Sequence, residues 1–197
     1  MPLTSAIALT LLIGQVNPDV RVYKKGKIEA SMKLGRVPGS SALANLARTT
    51  VRRDEGKLYD EFMKQAREVE RDFGTVDWPG CSFESSSRIA FQDARAISIV
   101  VDCYQYLGGA HGLGVTRTYS FGMVAGKPKQ LSLKDVVGKN NVDKVQILLI
   151  EKIVKHPRTA WKDMGWLTEL SEEQLNRFWV SKKGLTWEFN PYELASY

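Results

Sequence analysis

Histidine and cysteine are scarce in this chain of 197 residues, which contains two of each. A structural zinc site needs four Cys or His ligands at short, characteristic spacings. The two histidines, His111 and His156, are distant from one another, and neither is grouped with cysteines at such a spacing. We therefore expect no metal site, and the sequence indicates no other cofactor.

A hydrophobic run long enough to cross a membrane is also missing. The apolar run from Leu3 to Ile13 is shorter than the roughly 20 residues that a membrane-spanning helix requires. Its length is typical of the apolar h-region of a secretory signal peptide, although no Lys or Arg precedes it and no Ala-x-Ala cleavage site follows. We interpret residues 1–16 as a signal peptide, with a buried first strand or helix as the alternative. The first interpretation implies a periplasmic or secreted protein.

Clustered charge of one sign is the third absence. The net charge is +6, from 28 Lys and Arg against 22 Asp and Glu, and the excess is spread over both halves of the chain. Nucleic-acid binding requires clustered basic residues, so we expect no nucleic-acid partner. The mixed-charge stretch VRRDEGK, residues 51–57, is interpreted as a solvated loop or the end of a helix.

The two cysteines fall in segments with the alternating pattern of β-strands. Cys81 shares an apolar face with Phe83, and Cys103 shares one with Val101. If the two strands form a hairpin through QDAR, residues 92–95, the thiols lie on one side of it. A disulfide then depends on a register that brings the Cα atoms within about 7 Å. Two buried free thiols are the alternative.

The order of predicted elements indicates an α+β fold, because strands and helices do not alternate regularly as in parallel α/β proteins. We expect antiparallel sheet packed by helices, in two closely associated subdomains over residues 17–107 and 108–197. The predicted elements are strands on both sides of Lys25-Gly26, a short helix capped by Ser40 or Ser41, an amphipathic helix over 56–73, strands over 82–91, 96–106 and 115–121, a helix start at Ser132–Asp135, a well-buried helix over 141–156, a short helix capped by Ser171, and a strand from Leu185 to Phe189.

The stretch GGAHG, residues 108–112, has the glycine content of a phosphate-binding loop or an active-site loop. Dinucleotide-binding loops lead from a strand into a helix, whose N-terminus meets the phosphate. Here the following residues alternate like another strand, so we interpret the stretch as a strand-to-strand connection between the subdomains. For His111 we expect a structural role first, ligand contact second and catalysis last.

Three pieces of the sequence carry a family resemblance in their order. They are YLGGAHGLGVTRTYSFGMVAGKPKQLSLKDVV, a long apolar helix, and FWVSKKGLTWEFNPYELASY. Together they resemble the C-terminal domain of the PdaC/RsiV-like family, which includes a peptidoglycan deacetylase and a lysozyme-sensing anti-sigma factor. The motifs fall on Tyr106, Gly108 to His111, Asn190 and Tyr192. The chain departs from the pattern at Gly122, where the family has Asp, and it lacks the further strand that the family places after this motif, so we consider a truncated C-terminus.

The resemblance implies an extracytoplasmic, non-catalytic module of the bacterial cell envelope. Catalysis in the deacetylase belongs to a separate domain with a metal-binding Asp and His set, which this sequence does not contain. Lysozyme sensing is not carried over, because a chain of charge +6 would repel a strongly cationic lysozyme. We expect recognition of cell-wall glycan or an envelope protein; the alternatives are a cell-wall hydrolase or deacetylase using His111, and a structural envelope protein. The candidate ligand-binding residues are Tyr106, Gly108, Gly109, His111, Asn190 and Tyr192.

Overall fold

A computed structural model describes residues 19–73, 77–155, 167–190 and 193. The predictions for residues 1–16, His156 and Tyr192 lie outside the described residues. Within the described ranges, no helix is long and apolar enough to cross a membrane. The predicted α+β class is confirmed, since a curled sheet of six strands, a sheet of two strands and several helices are present.

The larger sheet contains its six strands in chain order, from β1 to β6. Neighbouring strands are antiparallel except β2 and β3, which run parallel because α1 connects them. The hairpin between β3 and β4 through the predicted QDAR turn is confirmed, with Asp93 Oδ1 accepting the amide protons of Arg95 and Ala96. The strands are β1 (Val20–Lys25), β2 (Ile28–Lys33), β3 (Cys81–Gln92), β4 (Ala96–Tyr106), β5 (Leu113–Val124) and β6 (Lys127–Gln130).

One long helix, α1 (Ala42–Phe73), replaces the two helices that the sequence suggested. Ser41 caps its start, because Ser41 Oγ accepts the amide proton of Ala44 at 3.1 Å. The charged stretch 51–57 lies inside this helix, and the prediction that it forms a solvated loop or helix end is wrong. Glu55 within it is fully buried. Gly56 lets Arg21 approach, since a Cβ atom there would lie 3.2 Å from Arg21 Nη2.

The apolar face of α1 packs on the larger sheet and forms the first core. Phe62 of the helix lies 5.2 Å from Phe83 of β3 between ring centroids, and Tyr59 meets the same ring edge-on at 5.8 Å. Phe121 of β5 is also fully buried in this core. Burial of an aromatic side chain contributes about 1.5–3 kcal/mol to stability, so these rings anchor α1 on the sheet.

The C-terminal part forms a second core from short elements. The predicted caps are confirmed: Ser132 and Asp135 form a capping box, and so do Ser171 and Gln174. A strand beginning at Phe178, which the sequence pattern did not indicate, pairs with the predicted last strand. The elements are α2 (Leu133–Val137), a 3-10 turn (Lys139–Asn141), α3 (Val142–Lys155), α4 (Glu172–Asn176), β7 (Phe178–Ser181) and β8 (Gly184–Trp187).

Helix α3 is less buried than its wide apolar stripe suggested. Among its residues only Ile153 is buried, while Ile147 and Leu148 are each 57% exposed. An open apolar groove of about 780 Å³ runs between α3 and β8 and includes Trp187 and Phe189. The prediction of a well-buried helix is therefore wrong for these described residues.

The first core includes Phe121 near the end of β5, and the second core begins along the chain at Leu131, just after β6. Residues on both sides of position 108 belong to the larger sheet, because β5 pairs with β4 along its length. The division at residues 107 and 108 stays a prediction about subdomains. The GGAHG stretch itself connects two neighbouring strands of one sheet.

Candidate binding site

The glycine loop between β4 and β5 is a strand-to-strand connection, as its sequence predicted. Gly108 and Gly109 have φ angles of +89° and +114°, in the region that glycine adopts without a steric penalty. No helix follows the loop, because β5 begins at Leu113. The loop therefore does not present a helix N-terminus to an anion.

Two tyrosines of β4 hold this loop. Tyr106 donates its hydroxyl proton to the carbonyl oxygen of Gly109 at 2.9 Å. The ring of Tyr104 covers Gly112, where a Cβ atom would lie 2.3 Å from the ring. His111 Nδ1 lies 3.3 Å from the carbonyl oxygen of Gly112. The loop is thus shaped by side-chain contacts with the strand that precedes it.

Asn190 acts on β5 and not on the glycine loop. The side-chain oxygen of Asn190 accepts the backbone amide proton of Thr116 at 2.6 Å. The backbone amide of Asn190 donates to Glu193 Oε2 at 2.7 Å. Four of the candidate residues therefore lie in or beside the loop: Tyr106, Gly108, Gly109 and His111. Asn190 instead contacts β5 further along that strand, at Thr116.

Of these four residues, Tyr106 lines a groove. It has a volume of about 510 Å³ and lies where β2, β3 and β4 meet the segment before β3. Partly exposed Tyr106 and the largely buried Trp78, which is 8% exposed, line it together with the charged residues Lys27, Glu29 and Asp77. The combination of ring surface with a few polar groups is typical of a small-ligand site.

Lys27 fixes one wall of this groove. Its Nζ donates to Asp77 Oδ1 and to the carbonyl oxygen of Trp78, each at 2.7 Å. The hydrogen bond from Lys27 and its positive charge lower the pKa of Asp77. Because Lys27 O also accepts the amide proton of Cys81 at 2.9 Å, the segment 77–80 is held against the start of β2.

The strongest buried polar cluster was missed by the sequence analysis. Glu55 lies under the sheet and accepts hydrogen bonds from Arg117 at 2.8 and 2.6 Å, from Tyr119 Oη at 2.8 Å and from Ser85 Oγ at 3.3 Å. The only available signal was that Arg117 and Tyr119 occupy alternate positions of one strand. Nothing in the sequence linked them to a glutamate in a charged stretch.

The pKa values in this cluster follow from burial and from the Glu55 charge. Burial raises the pKa of the Tyr119 hydroxyl, and the nearby Glu55 carboxylate raises it further. Burial alone would lower the pKa of Arg117, but its hydrogen bonds and charge interaction with Glu55 outweigh that effect and raise it. The carboxylate has a donor for each lone-pair direction that it offers, so the cluster acts as a structural tie between α1 and the sheet.

Both cysteines are free thiols in this structure. The register places Cys103 opposite Ser85, four positions along β3 from Cys81. Four strand residues span about 13 Å, well beyond the Cα separation of about 7 Å that a disulfide tolerates. The observed register of β3 and β4 therefore keeps the two cysteines too far apart for a disulfide. Burial raises the pKa of both thiols, which disfavours their thiolate forms.

Metal ligands are not grouped in the described part of the chain: no three His, Cys, Asp or Glu side chains there are placed to hold one ion. The residues that line the groove at Tyr106 offer ring surface and hydrogen-bonding groups.

Residues 27–114 match the family model described as "Deacetylase PdaC". The resemblance to the PdaC/RsiV-like family is confirmed. The matched range contains Lys27, Trp78, Tyr106 and the glycine loop, so almost the whole wall of the groove lies within it. No protein of curated function matches the sequence.

Two solved structures of DUF3298 family proteins are similar to this chain. One, from Pseudomonas aeruginosa PAO1, is 18% identical with a TM-score of 0.50, and the match covers 90% of this chain and 83% of that one. The other, from Bacteroides fragilis NCTC 9343, is 19% identical with a TM-score of 0.44 over 81% of this chain and 63% of that one. At this identity the first likeness shows the fold alone.

Proposed function

We propose that this chain is a non-catalytic, extracytoplasmic binding domain of the bacterial cell envelope that recognises cell-wall glycan. The observation that carries the proposal is the groove lined by Trp78 and Tyr106 together with Lys27, Glu29 and Asp77. The family match over the residues that line this groove supports the choice of site.

The chemistry of the groove suits a sugar. Aromatic rings pack against the apolar faces of pyranose rings, and charged side chains exchange hydrogen bonds with hydroxyl and acetamido groups. Tyr106 combines both properties at the glycine loop, because its ring lines the groove while its hydroxyl holds Gly109. The loop then positions the ring, and the ring contacts the ligand.

The arrangement also explains why binding is proposed and catalysis is not. The Lys27 ammonium is ion-paired with Asp77 and hydrogen-bonded to the carbonyl of Trp78, so it serves to fix the wall of the groove. His111 lies beside the carbonyl of Gly112 on the exposed loop. These contacts support a structural role for each side chain.

Sedimentation of the purified protein with intact peptidoglycan sacculi tests the proposal, using two variants of one residue. Tyr106→Phe removes the hydroxyl that bonds Gly109 and keeps the ring, whereas Tyr106→Ala removes both. We expect Tyr106→Ala to lose most binding and Tyr106→Phe to keep the larger part of it, because ring stacking contributes about 1 kcal/mol or more. Phe73→Ala, which removes an exposed aromatic ring at the end of α1 outside the groove, is the control.

The same preparation separates the alternatives. If wild-type protein releases acetate or soluble fragments from sacculi and His111→Ala abolishes the release, the chain is an enzyme and the proposal is wrong. If sacculi retain neither wild type nor variants, a structural envelope role replaces it. Finding the intact N-terminus on protein from the cytoplasmic fraction would exclude export.

A further inference from the structure

A second groove lies between β1 and the C-terminal half of α1. Its volume is about 480 Å³. Tyr23 of β1 and Tyr59 of α1 contribute its aromatic surface, and the remaining lining residues come from successive turns of α1: Asp60, Met63, Lys64, Arg67, Glu68 and Arg71.

Guanidinium groups lie over both aromatic rings. Arg67 is 6.0 Å from the ring centroid of Tyr23, and Arg21 is 5.6 Å from that of Tyr59. A guanidinium over a ring face keeps its N–H edge available for a second partner. Tyr23 and Arg67 thus line the groove as a cation–ring pair.

The charges in this groove leave cations without a carboxylate partner. Asp60 is already bound by Arg21 at 2.7 Å. Within the described ranges, the ion pairs include neither Lys64 nor Arg67. Arg71 has only a loose contact of 3.4 Å with exposed Asp72. The lining of the groove therefore contains three cations, Lys64, Arg67 and Arg71, and two carboxylates, of which Asp60 is paired with Arg21.

We propose that this groove binds a sugar or polyol that carries an anionic group, either a carboxylate or a phosphate. The partly exposed ring of Tyr23 contacts its apolar surface, and Lys64 and Arg67 contact the anion. A charge-assisted hydrogen bond is stronger than a neutral one and selects for the charged ligand. This inference rests on the proposed function for its source of ligand, the cell wall, and it assigns a second subsite that prefers acidic components.

The test compares ligands that differ in one group. N-acetylmuramic acid is N-acetylglucosamine with an added lactyl ether, so the pair isolates the contribution of a carboxylate, and glycerol 3-phosphate provides the phosphate. Each is titrated into the full chain at low salt, and amide chemical shifts are followed by NMR. We expect shifts at Tyr23, Tyr59 and the last turns of α1 with the anionic probes, and weaker binding of N-acetylglucosamine there.

Arg67→Met tests the assigned cation, since it removes the charge and keeps an unbranched stem of similar length. We expect a loss of about tenfold or more in affinity for the anionic probe, as for one charge-assisted hydrogen bond. Lys57→Met, an exposed cation of the same helix outside the groove, is the control and should change affinity less than twofold.

The outcomes separate the two sources of the anion and the two grooves. Binding of N-acetylmuramic acid alone indicates a sugar acid, binding of glycerol 3-phosphate alone indicates a phosphate polymer, and both support a general anion site. Equal binding of N-acetylmuramic acid and N-acetylglucosamine together with no binding of the phosphate, or an unchanged affinity in Arg67→Met, would overturn the inference. Loss of sacculus binding in Tyr106→Ala with anion shifts retained would show that the two grooves act separately.

Discussion

Glu55 in the middle of α1 and Arg117 on β5 form a two-point ion pair, with N–O distances of 2.8 and 2.6 Å. Glu55 is fully buried, and the side chain of Arg117 is 24% exposed. A buried carboxylate is costly unless its charge and lone pairs are satisfied. The pair therefore fixes one position of the long helix relative to the strand.

Breaking this pair should destabilise the fold strongly. In Glu55→Gln the charge is lost, and Arg117 remains partly buried without its anion. Removing one partner of a buried pair typically costs about 3–5 kcal/mol, and we expect the free energy of unfolding to fall by that order. Chemical denaturation with urea, followed by tryptophan fluorescence, measures the change.

The double variant Glu55→Leu with Arg117→Leu is the control for that prediction. Replacing both charges by apolar side chains removes the cost of an unpaired buried charge, so most of the stability should return. If the double variant is as unstable as Glu55→Gln, the cost comes from packing or from the lost hydrogen bond of Tyr119, and not from an unpaired charge.

The sequence predicted those elements whose stability is local. The hairpin at residues 92–95 has its own Asp93 turn, and the helix starts at Ser132 and Ser171 have side-chain caps within three residues. Such signals are contained in short stretches, so pattern analysis finds them. The glycine loop was correctly interpreted as a strand-to-strand connection for the same reason, because residues 115–121 after it alternate like a strand.

The errors arose where distant residues decide the outcome. The sequence of 51–57 suggests a solvated stretch because the residue that pairs with Glu55, Arg117, lies 62 residues further along the chain. The apolar stripe of α3 predicted burial, yet burial depends on what covers a helix, and Leu148 is half exposed. Of the site, Tyr106 was found from its motif, whereas Lys27 and Trp78 gave no local signal because the fold alone brings them to Tyr106.

Asp135 should make stability depend on acidity. Lys129 and the Ser132 hydroxyl and amide hydrogen-bond its carboxylate and lower its pKa to about 2, from about 4 in an unfolded chain. A lowered folded-state pKa stabilises the protein above pH 4, and this contribution is lost as the pH falls from 4 towards 2. After screening by solvent, we expect it to reach about 1 kcal/mol.

The pH dependence is measured as the difference in unfolding free energy between wild type and Asp135→Asn. That difference should be largest near pH 6 and should shrink towards pH 2. Asp143→Asn, which alters an exposed carboxylate in the first turn of α3, is the control. A difference that stays constant between pH 6 and pH 2 would show that Asp135 acts through its cap geometry and not through its charge.

A chain of two serine hydroxyls connects β7 to the larger sheet. Ser98 Oγ accepts the amide proton of Val180 at 3.0 Å, and Ser120 Oγ donates to the carbonyl oxygen of Phe178 at 3.0 Å. Since Ser120 uses its proton for that bond, Ser98 donates to Ser120 across 3.1 Å. The two serines are buried and link the two cores.

Ser120→Ala should therefore weaken this link. The buried carbonyl of Phe178 loses its hydroxyl donor, which costs about 1–3 kcal/mol, and the amide of Val180 should exchange its hydrogen faster. Ser86→Ala, at an exposed position of β3, should change neither quantity by a comparable amount. Unchanged exchange at Val180 in Ser120→Ala would contradict the proposed coupling of the two sheets.

Gly80 should be less tolerant of a methyl group than Gly39, although both have positive φ angles, +97° and +90°. A Cβ atom on Gly80 would lie 2.5 Å from the carbonyl oxygen of Lys27, whereas one on Gly39 would meet nothing within 4 Å. Gly39→Ala carries only the backbone penalty of about 1–2 kcal/mol. Gly80→Ala adds a collision with backbone that is already hydrogen-bonded to Cys81, so we expect a loss of stability at least 1 kcal/mol larger, on the scale of overpacking.

Urea unfolding of both variants measures the difference in stability. Equal losses would mean that the segment 77–80 moves away from β2 without penalty. Because Gly80 also lines the groove at Tyr106, such a displacement would be visible as weakened sacculus binding in Gly80→Ala but not in Gly39→Ala.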